Sequence, residues 1–215
     1  MGGSGQASYD DAHDPKYGPP HPVPIVTANE TSLKGYGTIV TSYDDTEVEI
    51  STWPQPGWRP ICPGTGNQGG ITGGEFTYLW DGDLCLATNK AVPDGDYVIG
   101  RLPANVSRDK RTHVLVREAN YHPDGGQVFF PQDGSPFVAL LALPGDDIGL
   151  NDFRAFYFDG SFGFQIHADI WHQPIYPVND SAVFLGKQGK VHACVVVDTV
   201  EEFGKYLLVP LTCEQ

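Results

Sequence analysis

The chain has 215 residues, of which 40% are hydrophobic and 12% aromatic, which suits one large domain with a sizeable core. Its 13 basic and 27 acidic residues give a formal net charge of −14, which repels phosphate backbones and excludes nucleic acid as an expected partner. No apolar run approaches the about 20 residues that span a bilayer, and Met1-Gly2-Gly3-Ser4-Gly5 lacks the apolar stretch of a secretory signal. A soluble, cytoplasmic protein without membrane partners is expected.

Gly 26 and Pro 18 make about a fifth of the chain, so many turns and no long helices are predicted. Residues 1–23 are rich in Gly, Ser, Pro and Asp and read as a flexible tail. Residues 24–215 then read as a single β domain. A strand begins near Tyr36-Gly37-Thr38-Ile39-Val40, and Glu47 to Trp53 alternates polar with apolar, as a half-buried strand does. Residues 54–74, dominated by Pro and Gly, read as a long loop that Trp53, Trp58 and Trp80 could pack down as a lid.

From Glu75 onward, strand signals recur at short intervals. They are Glu75 to Trp80, Asp83 to Thr88, Tyr97 to Arg101, His113 to Arg117, Gln127 to Phe130 and Phe137 to Leu143. Arg154 to Phe158, Phe164 to Ile166, Ala182 to Leu185, Val191 to Val197 and Tyr206 to Pro210 continue the series. Turn pairs such as Asp81-Gly82, Asp124-Gly125 and Asp159-Gly160 separate them. Only Thr199 to Lys205 suits a short helical turn. The pattern predicts an all-β fold, an antiparallel β-barrel or jelly roll with few short helices. The four cysteines, Cys62, Cys85, Cys194 and Cys213, show neither a CxxC pair nor zinc-ligand spacing. Free thiols in or beside strands are expected, with two disulfides the alternative for an exported protein.

Two segments carry the chemistry. Asn120 and His122 lie two residues apart, hence on one face of a strand, and Gln127 follows five residues later. The second segment, His167-Ala168-Asp169-Ile170-Trp171-His172, has the form of a cupin turn ending in a ligand histidine. Polar groups enclosed together in a barrel need a joint explanation. Two imidazoles with two amides either hold a divalent metal through His122, Gln127 and His172, or hydrogen-bond a substrate directly. Amide oxygens are poorer ligands than His or carboxylate, so the metal set is a weakened one. No organic cofactor is expected. Glu118 is expected to point away from this face into solvent. Trp171 either walls the pocket or fills the core, and Arg101, Arg117 and Arg154 are expected in surface ion pairs.

From about Ser32 to Asp198 the chain resembles the ureidoglycolate lyase family, cupin-like enzymes of purine-nitrogen recovery. The motifs are Tyr36-Gly37-Thr38-Ile39, Asn89-Lys90-Ala91, His122-Pro123 with Gln127-x-Phe129-x-Pro131, and His167 with Trp171-His172-x-Pro174. Arg154-Ala155-Phe156 and Asp159-Gly160 fit the same pattern. Family members commonly carry Glu where this chain has Asn120. The resemblance implies a carbon–nitrogen lyase that splits ureidoglycolate into glyoxylate and urea. His122, Gln127 and His172 would then contact the reacting centre, directly or through a divalent ion, and His167 would transfer a proton. Lys90 would bind the substrate carboxylate, with Asn120 and Trp171 also contacting substrate. Two rival readings are a metal-dependent cupin isomerase, epimerase or lyase acting on another small hydroxy- or keto-acid, and a non-catalytic small-molecule-binding barrel. A homodimer joined through sheet edges is expected.

Overall fold

A computed structural model describes residues 8–52, 54, 57–66, 68–90 and 96–213. The chain runs through β1 (His21–Pro22), β2 (Ile25–Thr27), β3 (Gly37–Val40), β4 (Gln68–Asp81), β5 (Leu84–Asn89) and β6 (Asp96–Arg101). β7 (His113–Val116), β8 (Glu118–Tyr121), β9 (Gln127–Pro131), β10 (Phe137–Ala142) and β11 (Arg154–Phe158) follow. β12 (Gly163–Ile166), β13 (Trp171–His172), β14 (Tyr176–Pro177), β15 (Ser181–Val191), β16 (Val195–Asp198), α1 (Thr199–Phe203) and β17 (Leu207–Pro210) complete the order.

These strands build two sheets. One runs β1-β17-β7-β6-β5-β4-β15-β9-β12-β3; the other runs β16-β8-β13-β10-β11-β2, with β14 on β10. Pairing is antiparallel except where β1 joins β17 and β2 joins β11. The fold is all-β and cupin-like, as the strand spacing predicts, although among the described residues the sheets do not close into a barrel.

Alternation places the core between the sheets. β5 buries every second residue, whereas β10 is buried along its whole length because it is covered on both faces. Phe137 of one sheet meets Phe184 of the other edge-on at 5.0 Å, and stacks on Phe158 at 4.4 Å. Trp80 donates its indole N–H to Pro177 O across the same interface. The helical turn falls at 199–203, as predicted. Asp198 caps its start by accepting from the Val200 and Glu201 amides, and Gly204 ends it with φ 68°. Among the described residues no helix is long and apolar enough to cross a membrane.

Three expectations need correction. From residue 8 onward the expected tail is packed against the body. Tyr9 is buried with its hydroxyl donating to Ile99 O, and Arg117 reaches Ser8 O. The second half of the 54–74 loop is strand, because β4 begins at Gln68 and pairs with β15, Gly73 against Lys187 and Gly74 against Gly186. Glycine permits this crowding: a Cβ on Gly73 would come 2.8 Å from the Tyr43 hydroxyl oxygen. Residues 47–52 form no strand and keep one bridge, Ile50 to Gly125.

Within the described residues 57–66 the main anchor is an arginine, with Trp58 donating its indole N–H to Asp147 Oδ1 at 3.1 Å. The Arg59 guanidinium makes a two-pronged pair with Glu202 at 2.6 and 2.7 Å, and its Nε donates to Asp146 O at 2.7 Å. Trp58 is 67% exposed, and Trp53 lies outside the described residues.

Candidate active site

β8 and β13 are hydrogen-bonded neighbours in which Asn120 stands directly opposite His172. His122 continues the Asn120 face two residues along, so the sequence spacing brings the two signature segments to one place. The His122 and His172 rings meet edge-to-face with centroids 5.0 Å apart. Neighbouring positions turn the other way: Tyr121 and Trp171 pack edge-on at 4.6 Å inside the core.

Hydrogen bonding fixes the form of both rings. His122 Nδ1 lies 2.9 Å from Ala193 O, and His172 Nδ1 lies 2.8 Å from Ile170 O. A carbonyl oxygen only accepts, so each ring carries its proton on Nδ1 and presents an Nε2 lone pair. Burial pushes His172 down to about 4. Burial, followed by the neighbouring His192 and His172 rings, holds His122 well below the usual histidine range. Both imidazoles are therefore neutral at physiological pH.

A third imidazole completes the cluster. His192, at the end of β15, stacks on His122 with centroids 4.2 Å apart and 6° between planes. Its Nε2 accepts the Gly189 amide at 3.0 Å, so its proton sits on Nδ1 and is donated to Asp124 Oδ1 at 2.8 Å. The other oxygen of Asp124 accepts the Ala193 amide at 2.7 Å. Asp124 thereby clamps the His192–Ala193 stretch, whose next carbonyl orients His122. Both ring nitrogens of His192 are used structurally. Among the described residues no three His, Cys, Asp or Glu side chains form a metal-holding group.

Three amide side chains, from β5, β9 and β15, meet one another. Gln127, the first residue of β9, donates to Gln188 Oε1 at 2.9 Å, and Asn89 donates to the same oxygen at 3.3 Å. Asn120 Oδ1 is buried without a hydrogen-bond partner. An orphaned acceptor beside two imidazole lone pairs forms a surface that takes hydrogen-bond donors or a cation.

The remaining expected residues stand elsewhere. His167 is exposed at the end of β12, held by its backbone N–H on Tyr36 O. Lys90 is exposed and ion-paired with Glu75, because alternation turns its neighbour Asn89 inward instead. Trp171 is a core residue, with its indole N–H on Gly145 O at 2.9 Å, which corrects its expected contact with substrate. Glu118 shares the parity of Asn120 and His122 and is half-buried on their side, not turned into solvent as expected. Arg101 and Arg117 are paired with Asp83 and Asp198. Gln188 and His192 carry no sequence signal of their own, and Asp124 reads as turn chemistry, with only its place directly after His122-Pro123 to mark it.

A family model described as ureidoglycolate lyase matches residues 91–202, just over half of the chain. Proteins named ureidoglycolate lyase from Salmonella paratyphi B and Salmonella typhimurium are each 38% identical to it over 63 residues. That stretch covers 29% of this chain and 39% of each relative, so the match spans about two-fifths of the relatives' length.

Proposed function

The chain belongs to the ureidoglycolate lyase family, and from that premise we propose that it cleaves ureidoglycolate, or a close hydroxy-acid analogue, to glyoxylate and urea. The observation that carries the reading is the His122–His172 pair: two neutral imidazoles 5.0 Å apart, both with the proton on Nδ1, beside the unpartnered Asn120 oxygen.

The reaction is collapse of a carbinolamide. The hydroxyl proton must leave as the carbonyl forms, and the departing urea nitrogen must gain one. A neutral imidazole with a free Nε2 lone pair can accept the hydroxyl proton, and the facing ring is placed to share the resulting charge. Asn120 Oδ1 accepts a urea N–H, and the Gln127–Gln188 pair presents amide groups to the ureido end. The low proton affinity of His172 means a proton gained there is readily passed on. His167, exposed on the rim, would serve exchange with solvent.

A divalent ion is the alternative use of the same two lone pairs, in place of proton transfer by the rings themselves. Histidine ligands commonly donate Nδ1–H to a backbone carbonyl and bind through Nε2, which is the state of His122 and His172. Those two nitrogens with the Gln127 amide oxygen would hold it, and it would supply Lewis acidity toward the developing carbonyl. A homodimer and a cytoplasmic setting belong to the same proposal.

Purified protein is to be assayed for urea and glyoxylate from ureidoglycolate, alongside His122→Ala. Turnover by the parent and none by a folded His122→Ala protein is the expected result. Ligand affinity without turnover would turn the assignment toward a binding protein, and turnover of another hydroxy-acid alone would turn it toward a different cupin enzyme.

A further inference from the structure

Two thiols meet beside the histidine cluster. The Cys62 amide donates to Cys194 O at 2.7 Å, which sets the two cysteines side by side. The contact is built from both sides: Gly66 N donates to His192 O at 3.1 Å, and Cys194 N donates to Thr65 Oγ1 at 3.0 Å. Two segments far apart in sequence are thus zipped together from residue 62 to 66 and from 192 to 194. A hydrogen-bonded backbone contact of this kind brings Cα atoms into the range a disulfide spans. Cys85, by contrast, is wholly buried, and Cys213 lies against Thr27.

We propose that Cys62 and Cys194 form a reversible thiol–disulfide couple, oxidised by a small disulfide of the glutathione type. The chemistry of the pair is asymmetric, as such couples require. Interaction with the Cys194 thiol lowers Cys62 to about 7, while the same interaction and burial raise Cys194. Cys62 is the thiolate that attacks one sulfur of oxidised glutathione and expels one glutathione thiolate. Cys194 then loses its proton and attacks the Cys62 sulfur of the mixed disulfide, expelling the second glutathione. Two thiols give up two protons and two electrons, and one glutathione disulfide becomes two glutathione thiols. The new bond would staple the 62–66 segment to Cys194, one residue beyond the carbonyl that orients His122.

The test is independent of any lyase activity. The full chain is incubated with oxidised glutathione, alkylated, digested and mapped by mass spectrometry, with Cys62→Ser and Cys194→Ser in parallel. The expected result is joint loss of alkylation at Cys62 and Cys194, with one cross-linked peptide pair lacking two hydrogens that dithiothreitol restores. Cys194→Ser should stop at a glutathione adduct on Cys62, and Cys62→Ser should leave Cys194 a free thiol. Continued alkylation of both residues, a bond to Cys85 or Cys213 instead, or no adduct on Cys62 in Cys194→Ser would each overturn the proposal.

Discussion

His192 stacks on His122 at 4.2 Å with 6° between ring planes, yet both of its own nitrogens are taken, by the Gly189 amide and by Asp124. It is a support for the ring beside it. Asp124 carries the arrangement, since one carboxylate holds the His192 ring with one oxygen and the Ala193 amide with the other. Asp124→Asn retains the shape but replaces one acceptor oxygen with an amide NH2, so that two donors face each other. The expected cost is about 1–3 kcal/mol for the donor left unsatisfied, read from denaturant unfolding. Nitrogen NMR of the histidines should show His122 losing its fixed Nδ1–H form. A protein as stable as the parent, with unchanged histidine signals, would refute the clamp.

The buried neutral histidines make stability sensitive to acid. His172 sits at about 4 in the folded chain against about 6.5 when unfolded. Between those values the unfolded chain binds the proton and the folded one does not, so stability falls as pH drops and levels off below about 4. Above about 6.5 both states are neutral and this residue adds no slope. The span amounts to about 3 kcal/mol. Urea unfolding at stepped pH should show at least that loss, and His172→Gln should remove this residue's share of the slope while the share of His122 remains.

Crowding between β15 and β4 sets a limit on the sheet. A Cβ on Gly186 would lie 1.6 Å from Phe76 Cε2, and Phe76 is itself packed against Phe129. The ring has no open side to move toward. Gly186→Ala should therefore cost about 1–3 kcal/mol or more through overpacking, measured as a drop in the thermal midpoint. Gly134→Ala is a useful contrast, because nothing lies within 4 Å of a Cβ there but its φ is 67°. Its loss should be a backbone one of about 1 kcal/mol.

How far the sequence speaks for itself follows from which signals are local. Period-two burial in β5 and turn glycines such as Gly82, with φ 59°, are local, so the strands stand close to where alternation places them. The shared face of Asn120 and His122 follows from their parity alone, whereas the register that sets Asn120 opposite His172 is a property of the fold. What stayed hidden depends on distant partners. The Gly-rich stretch from Gln68 reads as loop until β15 is laid beside it, and Tyr9 reads as tail until Ile99 O accepts its hydroxyl. His192 sits next to a strand end with no motif around it. Its role comes from Asp124, 68 residues earlier.

Asn120 offers a way to separate binding from folding. Its Oδ1 is buried with no partner, which in a folded protein is a standing penalty of about 1–3 kcal/mol. Leu has the same branched skeleton without the acceptor but is bulkier, so relief of the unpaired oxygen offsets overpacking and Asn120→Leu should leave the fold within about 1 kcal/mol of the parent. If the oxygen exists to receive a substrate N–H, the same change should raise KM about tenfold or more, the loss of one hydrogen bond in an enclosed site. Thermal unfolding and steady-state kinetics on one preparation decide the matter. Unchanged KM with raised stability would remove Asn120 from the binding surface, whereas raised KM with unimpaired stability identifies an oxygen kept unsatisfied in the free protein because the ligand completes it.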